Sequence, residues 1–445
     1  MNSMHILQCL NDLLPTQEHC QFLKAMESRP AKSIRLRPKA AQGNAIPATP
    51  PFPTKAIPWY PRGHFCTGVA QPGRFLSYAA GDYFIQDAGS MLAIHLLDLQ
   101  PTEWVADICA APGGKASAAL EIIGPGGGFL LANEPVRSRL ASLEYNLARV
   151  GYPRYLTMCH DPEKLRPIWS EQFHAVLVDA PCTGQTLVSR GKQSVAAFSE
   201  SLVKHAAARQ RRILHAAAEL VQPGGRLVYS TCTFTPVENE QVVETFLREH
   251  EDWSIDPAPG LQPWLSPLEP GGYRVYPHRD HCAGAYAVRL RRKGFHHVPK
   301  TISRPEDFKP LILNKEKIGA TCGGEHVRKK RYWEEWPCTI DSDIDRKNGK
   351  GSELAFQPSK HWMPSHALAL RRDSKWLPAA TFDLDDTMAC HYVQGHALPA
   401  GPIGWCVATW RGRPLGWLHG NHKRCNNHLP SSARCNFLPQ IGDTR

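Results

Sequence analysis

The sequence lacks the features that mark secreted, membrane-spanning and zinc-ribbon proteins. It contains 14 cysteines in 445 residues, but no Cys-x-x-Cys pair, the spacing typical of structural zinc sites. No run of about 18 apolar residues is present that would indicate a transmembrane helix. The N-terminal segment is interrupted by polar residues and carries acids early, unlike a secretory signal. We therefore expect a reduced, cytoplasmic protein without a bound metal and without a membrane partner.

Acidic residues are also in deficit. The 52 lysines and arginines exceed the 41 aspartates and glutamates, which gives a net charge of +11. A basic balance of this kind favours a polyanionic partner such as nucleic acid. The length predicts two or three domains with sizeable cores.

Composition divides the chain into four predicted regions. Residues 1–74 combine a short helix with a basic, proline-rich stretch, which indicates either a solvated connector or a surface that contacts nucleic acid. Residues 75–293 alternate short apolar runs with helical stretches. Residues 294–360 are polar and lysine-rich, as in a linker or insertion. Residues 361–445 contain two short apolar runs around a turn at 411–414, which predicts a small β-rich module.

The second region has the pattern of an α/β, Rossmann-like, doubly wound sheet. Its predicted strands cover residues 104–109, 129–134, 155–161, 174–182 and 225–232. Apolar residues from Val136 to Val150 recur at steps of four and three, which predicts a helix with one buried face. A longer helix is predicted over 199–221, closed by Pro223-Gly224-Gly225. Ligands of such sheets bind at the carboxyl ends of the strands.

A glycine turn follows the first of these strands, in the motif DICAAPGGKAS. Gly113 and Gly114 allow close approach of a ligand to the backbone, and a helix follows directly. Glu134, Asp161 and Asp179 lie at or near the ends of the next three strands. An acid about 20 residues after the turn suits the hydroxyls of a ribose. The pattern favours an adenosine-type ligand, and the alternative is that these acids cap helices or are solvated strand ends.

Two cysteines occupy further strand ends, Cys182 in DAPCTG and Cys232 in YSTCTFTPVENE. A single cysteine at such a position is usually a small buried apolar residue. A pair beside a cofactor site favours nucleophilic chemistry instead. The residue pattern alone does not rank the two thiols.

Taken together, these motifs resemble those of the Sun family of RNA cytosine-5 methyltransferases, in particular the bacterial Rsm-type enzymes that modify ribosomal RNA. The resemblance covers about residues 70 to 293. It is carried in order by GDYFIQDAGSML, DICAAPGGK, LLANEP, VLVDAPCTG, RQRRILHAAAELVQPGGRLVYSTCTFTPVENE and AYAVRLRRK.

The resemblance implies S-adenosylmethionine as the cofactor. Its methionine and ribose portions would be wrapped by Cys109, Ala110, Ala111, Pro112, Gly113, Gly114 and Lys115. Glu134 would hold the ribose, Asp161 would lie near the adenine, and Asp179 near the reacting centre. The resemblance also ranks the thiols: Cys232 is the expected nucleophile and Cys182 the residue that assists product release.

The chemistry of cytosine gives this arrangement a reason. Carbon 5 is a poor nucleophile until a thiolate adds to carbon 6, after which it attacks an electrophilic methyl group. Asp179 would act as general acid toward the ring. The resemblance further implies an RNA-contacting N-terminal extension, an RNA-binding (PUA-like) C-terminal module, a monomer, and structured ribosomal RNA as the substrate, with transfer RNA as the alternative. Ala116 and Thr183 are tolerable departures from the family pattern, whereas the less typical stretch QTLVSRGKQ after Gly184 bears on target choice.

Three other interpretations use parts of the same sequence. A methyltransferase for small molecules or proteins would keep the glycine turn and the acids but leave the paired cysteines unexplained. A non-catalytic RNA-binding protein would be expected to have lost the acids or Cys232. A zinc site in the tail would draw on residues without paired spacing, namely Cys406, His419, His422, Cys425, His428 and Cys435.

Overall fold

The computed structural model describes residues 10–38, 50–68, 71–295, 309–314, 316–321, 325–329, 331–336, 349–399 and 401–441. Parts of the proline-rich stretch (39–49) and of the expected linker (296–308 and 337–348) lie outside the described residues. Within the described ranges, no helix combines the length and the apolar character needed to cross a bilayer.

A four-stranded antiparallel sheet precedes the main domain, in the order β2-β3-β1-β4. The elements of this part are α1 (Thr16–Met26), β1 (Ser33–Leu36), β2 (Thr54–Ile57), β3 (Tyr60–Cys66), α2 (Leu76–Ala79) and β4 (Tyr83–Ile85). Strand β4 leads directly into the first helix of the main domain, so the edge of this small sheet lies beside the strand ends of the large one.

The main domain is built on a mixed sheet of nine strands, eight from this part of the chain and one, Gly349–Lys350, from later in the chain. Its elements are α3 (Ala88–Leu97), β5 (Trp104–Asp107), α4 (Gly114–Ile123), β6 (Phe129–Asn133), α5 (Leu140–Ala148), β7 (Tyr155–Met158), α6 (Arg166–Trp169), β8 (Phe173–Asp179), α7 (Glu200–Ala218), β9 (Val221–Thr231), α8 (Glu240–Glu249), β10 (Trp253–Ile255), β11 (Tyr273–Val275), α9 (Pro277–Asp280) and β12 (Ala285–Arg292). Strands β7, β6, β5, β8 and β9 are adjacent and parallel, and β12 is antiparallel to β9. The predicted α/β class is confirmed, with antiparallel strands added at the edges.

Continuous apolar runs form the central strands because helices cover both faces of the sheet. Every residue of β6 and β7 is buried, and the two largest clusters of buried side chains lie on opposite faces. Helix α7 begins after Ser199 and buries Val203, Ala207, Gln210 and Leu214, at steps of four, three and four. This spacing packs one face of the helix against the sheet.

Two local predictions differ from the structure. The sequence Pro223-Gly224-Gly225 does not close helix α7, which ends at Ala218; these residues lie inside β9, where the pairing with β8 shifts register. Val136 does not belong to the buried face of α5, because the helix begins at Leu140 and the Val136 side chain is 49% exposed. Leu143, Leu147 and Val150 are buried as predicted.

The remaining described residues form short strands and two helices: β13 (Lys309–Leu313), β14 (Glu316–Thr321), β15 (Glu325–Arg328), β16 (Tyr332–Trp336), β17 (Gly349–Lys350), β18 (Ser352–Phe356), β19 (Met363–Pro364), α10 (His366–Ala369), β20 (Trp376–Pro378), β21 (Thr381–Leu384), α11 (Asp386–Val393), β22 (Gly404–Trp410), β23 (Arg413–Gly420) and β24 (Cys425–Asn427). The predicted pair of strands around residues 411–414 is the antiparallel pair β22–β23. Strands also occur within the region predicted as a linker, and β17 pairs with the edge of the main sheet at β7. The division into domains stays a prediction.

A buried ion pair joins the small sheet to the main domain. Arg35 of β1 is 0% exposed and donates to Glu121 of α4, at 3.0 Å and 3.1 Å, and to the Gly114 carbonyl oxygen at 2.8 Å. Arg62 of β3 also binds Glu121, at 3.0 Å. The small sheet is therefore attached to the helix that follows the glycine turn.

Replacing Arg35 with alanine is expected to lower the free energy of unfolding by about 3 kcal/mol, since it removes the fully buried partner of Glu121 and leaves only the partly exposed Arg62 to compensate that carboxylate. Urea unfolding followed by tryptophan fluorescence measures this change. Arg62→Ala is the matched control: it removes the other, partly exposed partner of Glu121, and a smaller loss is expected. Equal losses for the two variants would contradict the role given to Arg35.

Candidate active site

The glycine turn is shaped by the packing of α4 against α5. Gly113 has φ of 105°, and a Cβ on it would lie 3.1 Å from Asn146 and 3.2 Å from Leu143 of α5. Only glycine can adopt this positive φ and also approach α5 this closely without strain. The turn is tied to the next strand, because the Ala110 N–H donates to the Asn133 carbonyl oxygen at 2.8 Å. The loop backbone is thereby held at the carboxyl ends of β5 and β6.

Two neighbouring cavities open at these strand ends. The larger, of about 530 Å³, is lined by eight of the predicted site residues, namely Cys109, Ala110, Ala111, Pro112, Gly114, Lys115, Asp179 and Cys232. The smaller, of about 300 Å³, is lined by Cys109, Glu134 and Asp161. Cys109 and Arg139 line both, so the two cavities are adjacent. Gly113 and Cys182 line neither.

Glu134 holds the loop as well as facing the small cavity. Its carboxylate accepts hydrogen bonds from the N–H groups of Ala111, at 3.2 Å, and Val136, at 2.9 Å, and pairs with Arg139 at 3.2 Å. Asp161 caps a short 3₁₀ turn by accepting from the Glu163 N–H at 3.2 Å. The exposed Val136 side chain lies in the same cavity and provides an apolar surface. This geometry suits a ring with hydroxyl groups.

Asp107 was not among the residues predicted from sequence, although it is the first residue of the glycine-turn motif. It ends β5, lines the large cavity and is 1% exposed, and its Oδ1 atom has no hydrogen-bond partner. Burial, and next the nearby charge of Asp179, raises the pKa of Asp107 to about 8. A buried carboxylate without a partner is costly, and a cationic or donor group in the cavity would relieve it.

Asp179 and Lys115 form an ion pair at the floor of the large cavity. Lys115 Nζ lies 2.6 Å from Asp179 Oδ2, and the Ser230 hydroxyl donates to Asp179 Oδ1 at 2.8 Å. Burial alone would lower the pKa of Lys115, but the Asp179 carboxylate holds that pKa above its ordinary value. The ammonium therefore stays charged beside the strand ends that carry the cysteines.

The two predicted cysteines are brought into contact. Cys182 Sγ and Cys232 Sγ are 2.9 Å apart, and the Cys232 N–H also points at Cys182 Sγ, at 3.3 Å. The hydrogen bond from Cys182 lowers the pKa of Cys232, and the same contact raises the pKa of Cys182. Cys232 lines the large cavity, whereas Cys182 does not, although both thiols are partly exposed. The geometry therefore distinguishes two thiols that the sequence pattern left unranked.

Among the described residues, no group of three or more His, Cys, Asp or Glu side chains is arranged to hold a metal ion. In the tail, Cys406 and Cys425 are buried and His422 is exposed. The zinc site considered for the tail therefore has no matching group of ligands among the described residues.

Three family models match the chain. Residues 94–291 match "16S rRNA methyltransferase RsmB/F", residues 379–435 match "Methyltransferase RsmF PUA domain", and residues 4–88 match "N-terminal domain of 16S rRNA methyltransferase RsmF".

Curated relatives match over nearly the whole length. Ribosomal RNA small subunit methyltransferase F of Salmonella arizonae is 31% identical, over 92% of this chain and 91% of that protein. The protein of the same name from Erwinia tasmaniensis is 30% identical, over 95% of this chain and 94% of that protein.

Solved structures share the fold of the main domain. A methyltransferase homolog from Pyrococcus horikoshii superposes with a TM-score of 0.51 at 25% identity, over 63% of this chain and 92% of that one. NSun6 from the same organism has a TM-score of 0.52 at 18% identity, over 66% of this chain and 98% of that one. At this identity the similarity is one of fold alone.

Proposed function

Because this chain belongs to the RsmB/F family of 16S rRNA methyltransferases, we propose that it methylates carbon 5 of a cytosine in ribosomal RNA through a covalent bond from Cys232 to the base. The single observation that carries the proposal is the contact between the sulphur atoms of Cys182 and Cys232 beside the Asp179–Lys115 pair. A methyltransferase for small molecules or proteins has no evident use for such a pair.

S-adenosylmethionine is the cofactor of this family, and it supplies an electrophilic methyl group. The residues present fit it. The small cavity offers Glu134 and Asp161 to the ribose and adenine, and the glycine-turn backbone lies between the two cavities. Asp107, with its unpartnered oxygen, fits an ammonium group in the large cavity.

The role of Asp107 predicts how cofactor binding depends on pH. With a pKa of about 8 the side chain carries a proton at neutral pH, and only its ionised form attracts an ammonium. Affinity for S-adenosylmethionine is therefore expected to rise with pH, by up to about tenfold per unit below that pKa. Calorimetric titration between about pH 6 and pH 8 measures this. Asp107→Asn, which keeps the shape, is expected to bind more weakly and with little pH dependence; the wild-type slope in that variant would contradict the assignment.

The thiol chemistry follows from the geometry of the pair. Cys232 ionises, because Cys182 donates a hydrogen bond to it, and its thiolate adds to carbon 6 of the base. Asp179 lines the same cavity and acts as general acid by passing a proton from the Lys115 ammonium, 2.6 Å away, to the ring as negative charge develops. The ring returns this proton to Asp179 when Cys232 leaves. Carbon 5 would then take the methyl group that S-adenosylmethionine would supply, and the electron pair of the broken sulphur–methyl bond would stay on the cofactor's sulphur. Cys182 loses its proton to solvent, its thiolate takes the carbon 5 proton, and the electrons of that C–H bond expel Cys232 as the product leaves.

The base must leave its stack to reach Cys232, since the thiol lies in a cavity at the sheet edge. We propose that residues 1–74 and 361–445 contact the RNA around that base. The matches of the N-terminal and PUA family models support this assignment. The expectation of a monomer stays a prediction.

The test is direct product analysis. Purified protein is incubated with labelled S-adenosylmethionine and total RNA from a strain that lacks this activity. The RNA is then separated by size and digested to nucleosides. Labelled 5-methylcytidine in the small-subunit ribosomal RNA is the expected result. Label in another nucleoside would overturn the assignment of carbon 5 of cytosine as the target. Label in transfer RNA would overturn the assignment of ribosomal RNA as the substrate.

A further inference from the structure

A buried carboxylate, that of Glu238, contacts the two segments that carry the cysteines. It takes no part in the catalytic chemistry described above. Glu238 ends a short 3₁₀ turn, Pro236–Glu238, and is 0% exposed. Within the described ranges of the chain it pairs with no lysine or arginine. A buried charge without a counter-ion is stable only when hydrogen bonds satisfy it fully.

Hydrogen-bond donors do surround it. Its Oε2 atom accepts from the Thr183 N–H at 3.0 Å and from Gln210 Nε2 at 2.8 Å. Its Oε1 atom accepts from the Thr183 hydroxyl at 2.6 Å, and the Thr233 hydroxyl lies at 3.3 Å. The Tyr229 hydroxyl fixes the backbone of the same residue by donating to the Glu238 carbonyl oxygen at 2.6 Å.

The donors come from the two segments that carry the thiols. Thr183 directly follows Cys182, and Thr233 directly follows Cys232. Those segments leave neighbouring parallel strands, β8 and β9, and Glu238 binds both just beyond the strand ends. Gln210 of α7 also donates to the Pro181 carbonyl oxygen, at 3.2 Å, so the residue before Cys182 is held as well.

We propose that Glu238 is a positioning residue, an inference that rests on the function proposed above. Its hydrogen bonds to Thr183 and Thr233 hold Cys182 against Cys232, so that Cys182 acts as the hydrogen-bond donor and Cys232 as the attacking thiol. Glu238 binds Thr183, the residue after Cys182, and does not line the cavity that Cys232 lines, which fits this division of roles. The charge of Glu238 acts in the same direction. The contact with Cys232, burial and the charge of Cys232 raise the pKa of Cys182, and the Glu238 carboxylate adds to them.

The experiment compares which thiol is alkylated in the full-length protein. Wild type, Glu238→Gln and Glu240→Gln are treated briefly with iodoacetamide at neutral pH, and the label is located by peptide mass spectrometry. Glu240 is the matched control, because it is an equally buried carboxylate two residues away that pairs with Arg274 instead of the cysteine segments.

In wild type we expect the label on Cys232. In Glu238→Gln the share of the label on Cys182 rises at least about tenfold. The reason is that the glutamine amide holds Thr183 less firmly than the carboxylate does and, being uncharged, does not oppose ionisation of Cys182. Turnover of RNA falls while affinity for S-adenosylmethionine is kept. Glu240→Gln lowers stability but keeps the wild-type labelling ratio, because loss of stability alone does not change which thiol reacts.

Thr183→Val provides a second route if Glu238→Gln does not fold. It removes the 2.6 Å hydrogen bond and keeps the side-chain shape, so the same shift toward Cys182 is expected, to a smaller extent. Wild-type labelling at Cys232 with an unchanged ratio in both variants would overturn the role of Glu238 alone. Wild-type labelling at Cys182 would overturn the nucleophile of the proposed function instead.

Discussion

Replacing Cys232 with alanine is expected to abolish methyl transfer to RNA, with a loss of roughly four orders of magnitude or more in turnover. The reason is that the target carbon becomes nucleophilic only after a thiolate adds to the neighbouring carbon, and no other described thiol faces the large cavity with a lowered pKa. Cys109 also lines the cavity, but burial raises its pKa well above the ordinary range. Single-turnover assays with labelled S-adenosylmethionine measure the loss.

The control for this variant separates chemistry from binding. Cys232→Ala should bind S-adenosylmethionine and RNA as wild type does, because the Cys232 side chain does not line the small cavity and makes none of the Glu134 contacts. Cys159→Ala removes another partly exposed strand-end thiol, which contacts the Pro135 carbonyl oxygen at 3.6 Å, and should keep full turnover. Activity of Cys232→Ala within a few-fold of wild type would show that no covalent step through this residue occurs.

Replacing Cys182 with alanine is expected to give the opposite failure, in which the first half of the reaction occurs and the second stops. Cys232 can still add to the base, but the thiol 2.9 Å away that removes the carbon 5 proton is missing. Turnover should fall at least about 100-fold, the usual contribution of a positioned proton acceptor. A protein–RNA complex that survives denaturing electrophoresis should accumulate.

The double variant is the control for this trapped complex. Cys182→Ala combined with Cys232→Ala should give no such complex, because the atom that binds the RNA is gone. If Cys182→Ala instead turns over as wild type and traps nothing, release does not depend on Cys182, and the contact between the two sulphur atoms has another purpose.

The positions of the site were largely predictable because they follow from local patterns. Continuous apolar runs predicted parallel strands, and the residues after them meet at one edge of the sheet whatever the details of packing. For this reason Glu134, Asp179 and Cys232 all line the two cavities. The strand β9 was harder, since Pro223 and Gly224 are typical turn residues and only its pairing with β8 and β12 keeps them in a strand.

What the sequence did not predict depends on contacts between distant residues. The raised pKa of Asp107 comes first from burial and next from the charge of Asp179, 72 positions later. The residue pattern left the two thiols unranked, and only the resemblance to the Sun family ranked them, because which sulphur lines the cavity depends on the fold. The importance of Glu238 likewise depends on donors that come from three separate segments. Val136 was misplaced for a similar reason: periodicity assigns it to a helix face, but the chain enters α5 only at Leu140. No periodic pattern encodes such contacts.

The most direct test of the central claim identifies the sulphur atom that binds the RNA. The complex trapped by Cys182→Ala is digested with ribonuclease and protease, and the peptide that carries a nucleotide is sequenced by mass spectrometry. The account predicts a methylated cytidine nucleotide on the peptide containing Cys232, attached at that residue. A nucleotide on any other residue, or no nucleotide-bearing peptide while methylated RNA is still produced, would contradict it.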